Sequence, residues 1–372
     1  MTIQAAVMTE PGRMELREFA RPSIGDDEIL LKVERTGICG SDKHMFAGHM
    51  PLQFPVIPGH ELVGTIEELG SQAAATMAVV GGPIEPGDRI TTAPSSTPCG
   101  RCHHCLHMPQ RPSLCANRYV HGFVSSDVAP APRGGFSQYM HLTSRSWIFK
   151  IPDDLSSERA VLGEPVAVAI RAVERALGPG LPHIGEGLSF DKSVLVLGAG
   201  PIGQLVVAVL SYIGVDCIIA SDLSQSRLDL ALRMGAHEVV AVEGSNLEDR
   251  LEIVQGLTNG VGPDIVIETA GVPVAFKESL DFVRRGGTVV EVGHFTDSGS
   301  VEIRPNVVCF KDVDIRGMWG YPPILFKTAL AFLKNTSAPL DSFITHRLPL
   351  EKIAEGIDIT GSEGSMKVVI EP

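Results

Sequence analysis

The sequence predicts an α/β protein in which a doubly wound parallel sheet follows a mainly β domain. In residues 164–309, short all-apolar segments such as SVLVLG and CIIASD alternate with segments of helical spacing such as QSRLDLALRMG. All-apolar strands that alternate with helices are typical of a parallel sheet covered on both faces. In residues 1–163, glycine bounds short apolar segments such as ELVGTIEELG, which indicate strands. We expect residues 310–372 to return to this first domain.

The segment that joins the two domains is predicted to begin with a helix. From residue 164, EPVAVAIRAVERAL has apolar residues at helical spacing. Residues 178–192, GPGLPHIGEGLSFDK, follow as an enlarged loop with several glycines and prolines. We expect this loop to lie on the surface, or alternatively at an interface or at the rim of a cleft.

The composition of the 372-residue chain disfavours several classes of protein. Its formal net charge of −13 disfavours non-specific binding to nucleic acid and to anionic membranes. The N-terminus lacks the basic start and apolar run of a signal peptide, and no uninterrupted apolar stretch reaches transmembrane length. We therefore expect a soluble, cytoplasmic protein whose partners are small molecules and not nucleic acid or membrane.

A glycine-rich turn follows the first apolar strand of the predicted sheet. The residues GAGPIG fit the pattern G-x-G-x-x-G, and a helix is predicted directly after them. In this context the three glycines permit a tight turn, the approach of a pyrophosphate to the backbone, and close packing of helix on strand. The helix N-terminus offers unpaired N–H groups to the phosphates. The sequence therefore predicts a dinucleotide site on a Rossmann-type sheet, at Gly198, Gly200, Pro201, Ile202 and Gly203.

The next apolar strand ends at an acidic residue, Asp222. A carboxylate about 20 positions after the glycine-rich turn accepts hydrogen bonds from the adenosine ribose, and its charge disfavours the extra phosphate of NADP. Arg227 is predicted to pack beside the adenine or the ribose. In the alternative interpretation, Asp222 caps a helix and Arg227 is solvated. We expect NAD to be the cofactor.

Four cysteines are concentrated in one loop. They follow the pattern C-x2-C-x2-C-x9-C at Cys99, Cys102, Cys105 and Cys115. Disulfides across two-residue gaps are awkward, whereas four thiolates around one tetrahedral zinc ion form a common structural site. The loop has little apolar material of its own, so that a metal would fix its shape. Nearby histidines are alternative ligands, which we interpret as exposed: His103, His104 and His107.

A second group of chemically competent residues lies in the first domain. The loop GICGSDKH contributes Cys39, Ser41 and His44, and the motif PGHE contributes His60 and Glu61 just before an apolar strand. A cysteine alone is more often a small buried apolar residue, and a histidine alone can be an ordinary interior residue. Together with the cysteine cluster and the dinucleotide turn, these residues indicate a functional site.

Motifs along nearly the whole chain resemble those of one family. In order, they are GICGSDKH, GHE, PGDRI, the cysteine cluster, GEPVAVA, GAGPIG and ETAG. The chain is similar to the zinc-containing medium-chain dehydrogenase/reductase superfamily. Its motifs are most similar to those of the sorbitol, polyol and threonine dehydrogenase branch. This resemblance implies an NAD-binding Rossmann domain at 164–309. It also implies a GroES-like, mainly β catalytic domain that binds zinc at 1–163, with 310–372 returning to it.

The resemblance also implies the ligands of a catalytic zinc. In that family the cysteine of GICGSD and the histidine of GHE bind the metal, which implies Cys39 and His60 here. Either Glu61 or Glu164 would complete the ligand set, or the two would exchange as substrate enters. Alcohol dehydrogenases of the best-known type have a cysteine at the position of Glu164. The glutamate found here therefore favours the polyol-like branch.

The reaction implied by the resemblance is transfer of a hydride from a secondary alcohol or polyol to NAD, with two zinc ions in each subunit. Ser41 would take the hydroxyl proton and pass it towards the ribose and His44, whereas Asp42 is interpreted as a loop-capping residue. Two alternatives remain open: oxidation of an amino alcohol as in threonine dehydrogenases, and a non-catalytic descendant that keeps the dinucleotide site. Family analogy also suggests a homodimer or homotetramer.

One departure from the family pattern concerns the substrate. Sorbitol-type enzymes generally carry an Arg-Tyr pair after the strand that corresponds to DIRGMW, and the arginine meets substrate hydroxyls. Here Gly320 precedes Tyr321, so the arginine is missing. We expect a more apolar pocket lined by Phe46, Phe123 and Trp319, which favours secondary, cyclic or less hydroxylated alcohols over sugar alcohols.

Overall fold

The computed structural model describes residues 2–177 and 191–372, so the expected loop at 178–192 lies outside the described residues except for its last two positions. The strands are β1 Thr2–Glu10, β2 Arg13–Ala20, β3 Ile29–Gly37, β4 Glu61–Leu69, β5 Ala78–Val80, β6 Arg89–Thr92, β7 Tyr139–Leu142, β8 Trp147–Lys150, β9 Ser193–Leu197, β10 Cys217–Asp222, β11 Glu238–Ala241, β12 Ile265–Glu268, β13 Thr288–Glu291, β14 Asp314–Gly317, β15 Ile344–Pro349 and β16 Lys367–Glu371. The helices are α1 Gly40–Phe46, α2 Ala73–Thr76, α3 His103–His107, α4 Ser157–Ala160, α5 Gly163–Leu177, α6 Pro201–Tyr212, α7 Gln225–Met234, α8 Leu247–Leu257, α9 Pro273–Phe282, α10 Pro305–Lys311, α11 Leu325–Asn335 and α12 Ile353–Ile359.

The chain forms two compact units. The first comprises Met1–Ala167, Tyr321–Asn335 and Leu340–Pro372, and the second comprises Val168–Gly320 and Thr336–Pro339. The predicted linking helix is present as α5, which begins in the first unit and continues into the second. Across the described parts of the chain, every helix is too short or too polar to cross a lipid bilayer.

The first unit is built on a β sheet of order β15-β16-β3-β4-β6-β8-β5, with β7 also paired to β3. Its central strands β3 and β4 are antiparallel, and their register places Gly37 opposite Glu61. Strand β16 is antiparallel to β3 on its other side and places Val369 opposite Gly37. Three segments far apart in sequence therefore meet at one corner of this sheet: the loop after β3, the residues before β4 and the start of β16.

The second unit contains a parallel sheet of order β11-β10-β9-β12-β13-β14. Because β9 to β14 run in chain order, this is the doubly wound order 3-2-1-4-5-6, whose strand order reverses between β9 and β12. The residues of β9 and β12 are almost all buried, as expected for strands covered on both faces. The predicted Rossmann sheet is confirmed.

The return of the chain to the first unit begins later than the predicted position 310. Strand β14 pairs in parallel with β13, so that residues up to Gly320 belong to the second unit. The sequence DIRG is mostly exposed, because β14 is the edge strand of the sheet. Such a strand lacks the all-apolar pattern that indicates the buried strands. The sequence pattern therefore predicts the end of the second domain at 309, earlier than the structure has it.

A buried histidine in the first unit makes stability depend on pH. His121 is fully buried, with its Nε2 3.2 Å from Ser146 Oγ, and burial together with the Arg133 guanidinium lowers its pKa to about 3. The unfolded chain protonates this ring below about pH 6.5, whereas the folded protein does not. Stability is therefore complete above pH 6.5 and falls as the pH drops towards 3.

Between pH 7 and pH 5, we expect His121 to account for a loss of about 2 kcal/mol in the free energy of unfolding. Urea unfolding at the two pH values measures it. The His121→Gln variant cannot titrate, so its loss of stability over this range should be smaller by that amount. An unchanged pH dependence in the variant would contradict the assignment.

Candidate active site

The loop after β3 becomes a short helix whose first turn is fixed by an aspartate. Cys39 is the N-cap residue of α1, with extended backbone. The backbone N–H of Cys39 donates to Asp42 Oδ2 at 2.8 Å, and Asp42 is fully buried. This hydrogen bond satisfies a donor at the helix N-terminus and holds the cysteine in place beside the start of β4.

His60 lies between two side chains of α1. Its Nδ1 is 3.6 Å from Asp42 Oδ1, and its Nε2 is 3.4 Å from Ser41 Oγ. Burial lowers the pKa of His60, but the Asp42 carboxylate and the Cys39 thiol raise it to a net value of about 10. Burial also raises the pKa of Asp42. A carboxylate behind one nitrogen of an imidazole is the usual way to orient a histidine that binds metal through the other nitrogen.

Glu61, the first residue of β4, forms a buried ion pair with Lys367, the first residue of β16. The two side chains are 1% and 5% exposed, and Lys367 Nζ donates to the two carboxylate oxygens at 2.8 and 2.6 Å. A Cβ atom on Gly37 would lie 2.2 Å from Glu61 Oε2. Only glycine at that position therefore leaves room for this carboxylate.

Glu164 sits next to this pair, in the first turn of α5. Its carboxylate accepts a hydrogen bond of 2.9 Å from the hydroxyl of Tyr321. Burial, with a smaller contribution from the Glu61 charge, raises the pKa of Glu164 to a net value of about 7, against the opposing effects of His60 and of the Tyr321 hydrogen bond. Glu164 is thus close enough to interact electrostatically with both groups, and one of its oxygens, Oε1, is hydrogen-bonded to the tyrosine.

These side chains fit a zinc ion. The ligand atoms of Cys39, His60 and Glu61 lie within 4.8 Å of one another, and Glu164 is outside this group. Thiolate, imidazole and carboxylate are the donors that zinc takes in proteins, and three of them leave one position for a substrate. The structure therefore brings Glu61, and not Glu164, together with the two ligands that the sequence predicts.

His44, the predicted proton carrier, lies on α1 and contacts a second histidine. Its Nδ1 is 3.1 Å from Nδ1 of His49, which is exposed. Burial, then the neighbouring charges of His49 and Lys43, lower the pKa of His44. The ring is therefore held in the neutral form that can accept a proton.

The four-cysteine loop gathers its thiols as predicted. The Sγ atoms of Cys99, Cys102, Cys105 and Cys115 all lie within 4.8 Å of one another. The Sγ atoms of Cys102 and Cys105 are 3.5 Å apart. Hydrogen bonds from Asn117 and from backbone amides lower the pKa of Cys99 to about 5, which favours the thiolate that metals bind. Four thiols brought together in one loop fit a closed tetrahedral zinc site.

The glycine-rich turn has the geometry that its sequence predicts. Gly198 has φ +92, and a Cβ on Gly203 would lie 1.9 Å from the Gly198 carbonyl oxygen, whereas a Cβ on Gly200 would meet nothing within 4 Å. Helix α6 begins directly afterwards with Pro201 and the half-buried Ile202. The open space above Gly200, at a helix N-terminus, is where a pyrophosphate binds in this fold.

Asp222 ends β10 and is bound to the backbone of this turn. Its Oδ2 accepts from the N–H of Ala199 at 2.7 Å, and its Oδ1 accepts from the N–H of Ser224 at 2.9 Å. Arg227 lies half-buried on α7, where its carbonyl accepts from Gln204 at 2.7 Å. Each carboxylate oxygen retains lone-pair capacity, so Asp222 can both cap the loop and accept from a ribose.

Comparison with known proteins matches each part of the chain to one family. Residues 25–153 match the family profile described as alcohol dehydrogenase GroES-like domain, and residues 201–335 match the profile described as zinc-binding dehydrogenase. An L-threonine 3-dehydrogenase of Pseudoalteromonas atlantica is 32% identical over 364 residues, which is 95% of each chain. The chain belongs to the zinc-containing medium-chain dehydrogenases. A sorbitol dehydrogenase of Bacillus subtilis is 30% identical and covers 100% of this dehydrogenase and 97% of its own length. The structure of an alcohol dehydrogenase from Thermotoga maritima has a TM-score of 0.90, with 27% identity and full coverage of both chains.

Of the side chains expected to line the dehydrogenase pocket, Phe123 lies at the metal-ligand group. Its ring centroid is 5.5 Å from that of His60, edge to face, and Phe46 packs in the same apolar cluster. Trp319 belongs to the second unit, where it is 48% exposed and stacks on Phe295 at 4.9 Å. The role of Trp319 towards substrate stays a prediction.

The sequence does not assign three residues of this site in the dehydrogenase. Asp42, which the sequence indicates only as a loop cap, also faces His60. Tyr321 follows the position of the missing arginine, and its hydrogen bond to Glu164 has no sequence signal. Lys367 does have a usable signal, its position at the start of the apolar segment VVI, because a lysine in a buried strand requires a partner.

The second unit of the dehydrogenase carries a further buried cluster at the carboxyl ends of β12 and β13. Glu268 is fully buried and accepts from the N–H groups of Ala270 and Gly271, both at 2.8 Å. His294 Nδ1 is 2.7 Å from Glu291 Oε1. Burial and the Glu291 charge raise the pKa of Glu268 to about 8. This cluster fixes the two loops that follow these strands, at the same edge of the sheet as the glycine-rich turn.

Proposed function

We propose that this dehydrogenase transfers a hydride from a secondary alcohol or polyol to NAD, giving a ketone and NADH. The catalytic zinc would be held by Cys39, His60 and Glu61, and a structural zinc by the four-cysteine loop. The observation that carries the proposal is the approach of these three ligand atoms to within 4.8 Å of one another. The relatives named threonine and sorbitol dehydrogenase support a hydroxyl-bearing substrate.

The chain's own residues would orient the metal site and move the proton. When bound, zinc lowers the pKa of a substrate hydroxyl, and the nicotinamide accepts the hydride. Asp42 faces Nδ1 of His60 and leaves Nε2 for the metal. Ser41 Oγ, 3.4 Å from that nitrogen, is positioned to take the hydroxyl proton, and His44 would carry it towards solvent.

Two further residues would set the charge of the site. The ammonium of Lys367 offsets the carboxylate of Glu61, so that the ligand group does not hold excess negative charge that would weaken its action on the hydroxyl. Tyr321 keeps Glu164 hydrogen-bonded and available as a base or an exchanging ligand next to the metal.

A substrate panel followed by NADH formation tests the proposal. We expect turnover with secondary alcohols and with diols, such as 2,3-butanediol, and a lower kcat/KM for sorbitol. Threonine belongs in the same panel, because an L-threonine 3-dehydrogenase covers 95% of this chain. Threonine as the best substrate would select the amino-alcohol alternative, and no turnover with any substrate by zinc-loaded protein would favour the non-catalytic one.

Asp222 is expected to set the preference for NAD over NADP. Replacing it with alanine removes two expected hydrogen bonds from the ribose to the carboxylate, each worth about 1.5–3 kcal/mol. It also removes the repulsion between the carboxylate and the extra phosphate of NADP. We expect kcat/KM for NAD to fall by at least about tenfold. The ratio of kcat/KM for NAD to kcat/KM for NADP should also fall. Asp222→Asn is the comparison variant, because its amide oxygen keeps an acceptor for one of the two backbone N–H groups while the charge is removed. An unchanged ratio in both variants would refute this role.

We also propose that the dehydrogenase works as a homodimer or homotetramer in the cytoplasm, where reducing conditions keep thiols available to zinc. The edge strand β14 supports association, since edge strands offer unpaired N–H and C=O groups. Ile315 on this strand and Phe310 on the preceding helix α10 are 42% and 66% exposed. The molar mass measured by light scattering during size-exclusion chromatography decides whether the chain associates.

A further inference from the structure

Two exposed histidines lie on one turn of α3, beside the cysteine cluster. His103 and His107 are four positions apart, so that they project from the same face of the helix, and both are exposed. Their ring centroids are 4.6 Å apart, with the ring planes inclined by 39°. Neither residue belongs to the four-thiol group, and the proposed function leaves both of them without a role.

The separation of the rings is that of two imidazoles sharing one metal ion. An imidazole nitrogen binds Zn²⁺ at about 2.0–2.1 Å, which places the ion about 3.2 Å from the ring centroid. Two such rings, with an angle of about 90–110° at the ion, have centroids about 4.5–5.2 Å apart. The observed 4.6 Å lies within this range, so the two rings are already at the separation that a shared ion requires.

The neighbouring cluster favours a cation at this position. Helix α3 starts directly after Cys102 and contains Cys105, so that the cluster fixes the backbone that carries both histidines. Four thiolates around one zinc ion leave a net charge of about −2, which attracts a second cation nearby. The histidine pair is therefore pre-organised and electrostatically favoured.

We propose that His103 and His107 form a second, surface metal site that binds a divalent transition-metal ion of the type preferred by imidazole, Ni²⁺, Cu²⁺ or Zn²⁺. Hard cations such as Mg²⁺ and Ca²⁺ prefer oxygen ligands and should not bind. With two protein ligands, the remaining coordination positions are open to water. The site is thus accessible from solvent and takes up and releases its ion, unlike the closed four-thiolate site.

Calorimetric titration of the zinc-loaded protein with Ni²⁺ tests this site. We expect His103→Gln and His107→Gln each to weaken Ni²⁺ binding at least tenfold, roughly, because each removes one of two ligands. His104→Gln is the matched control: it is the adjacent histidine on α3, with its ring centroid 5.6 Å from that of His103. Ni²⁺ affinity in this variant should stay within about twofold of wild type.

A second control distinguishes Ni²⁺ bound at His103 and His107 from Ni²⁺ bound at another histidine pair. His44 and His49 also have rings in contact, with centroids 5.4 Å apart, so His49→Gln identifies any Ni²⁺ bound there. Equal Ni²⁺ affinity in wild type and in a His103→Gln/His107→Gln double variant would overturn the proposal. So would an equal loss in His104→Gln, or a loss of zinc from the cysteine loop in the single variants, which metal analysis detects.

Discussion

Replacement of Cys39 by serine is expected to lower kcat/KM for the alcohol substrate by at least about a thousandfold, which corresponds to about 4 kcal/mol of transition-state stabilisation. A serine hydroxyl stays protonated at neutral pH and is a poor zinc ligand, so one metal ion should be lost. NADH affinity should remain within about twofold of wild type, because Gly198 to Gly203 and Asp222 lie in the other unit. The measurements are NADH formation, fluorescence titration with NADH, and zinc analysis.

Zinc analysis of the same proteins also tests the two-metal assignment. Wild type should contain about two zinc ions per subunit and Cys39→Ser about one. Cys309→Ser is the control, since Cys309 is an exposed cysteine on α10, and it should retain both ions and full turnover. Wild-type turnover by Cys39→Ser, or an unchanged zinc content, would contradict the role of this thiol as a ligand.

Replacement of Lys367 by methionine is expected to destabilise the protein by about 3–5 kcal/mol, the usual cost of leaving one partner of a buried ion pair uncompensated. The carboxylate of Glu61 is 1% exposed and would lose both of its hydrogen bonds from Nζ. Urea unfolding measures the loss. Adding Glu61→Gln to the variant should recover part of it, because the remaining amide is uncharged.

The control for this experiment is a lysine in an exposed pair. Lys352 is 54% exposed and lies 3.2 Å from Glu355, so Lys352→Met should cost less than about 1 kcal/mol in the free energy of unfolding.

Unfolding of chelator-treated protein tests whether bound metal changes the effect of Lys367→Met. If Glu61 binds zinc when its lysine is missing, the destabilisation by Lys367→Met should be larger without metal than with it. Equal, small effects of Lys367→Met and Lys352→Met would show that the buried pair does not stabilise the fold.

Much of this architecture could be predicted from sequence because local patterns report local structure. The glycine-rich turn needs three glycines at fixed positions, and the structure gives a steric reason for Gly198 and Gly203 and open space at Gly200. The cysteine loop needs only short-range spacing, and its four thiols do converge. The buried strands of the second unit are all-apolar because both faces are covered.

What could not be predicted depends on contacts between distant segments. The grouping of Glu61 with Cys39 and His60 depends on strand register, which places Glu61 opposite Gly37, and the contact of Glu164 with the Tyr321 hydroxyl joins residues 157 positions apart. The edge strand β14 has an exposed pattern, which does not indicate that it belongs to the sheet of the second unit. Lys367 reaches the site only because β16 pairs with β3, a fact that no window of sequence contains.

The pairing of β16 with β3 has a consequence for the order in which the chain acquires its fold. Glu61 and Lys367 are 306 positions apart, and ribosomal synthesis is vectorial, so the carboxylate exists long before its countercharge does. All of the second unit is synthesised in that interval, and most of its strands pair with the next strand along the chain. Contacts of such long range are slow to form, and burying Glu61 without its lysine is costly. Closure of the metal-binding corner is therefore expected as a late step, with the Rossmann sheet already in place when the last strand docks.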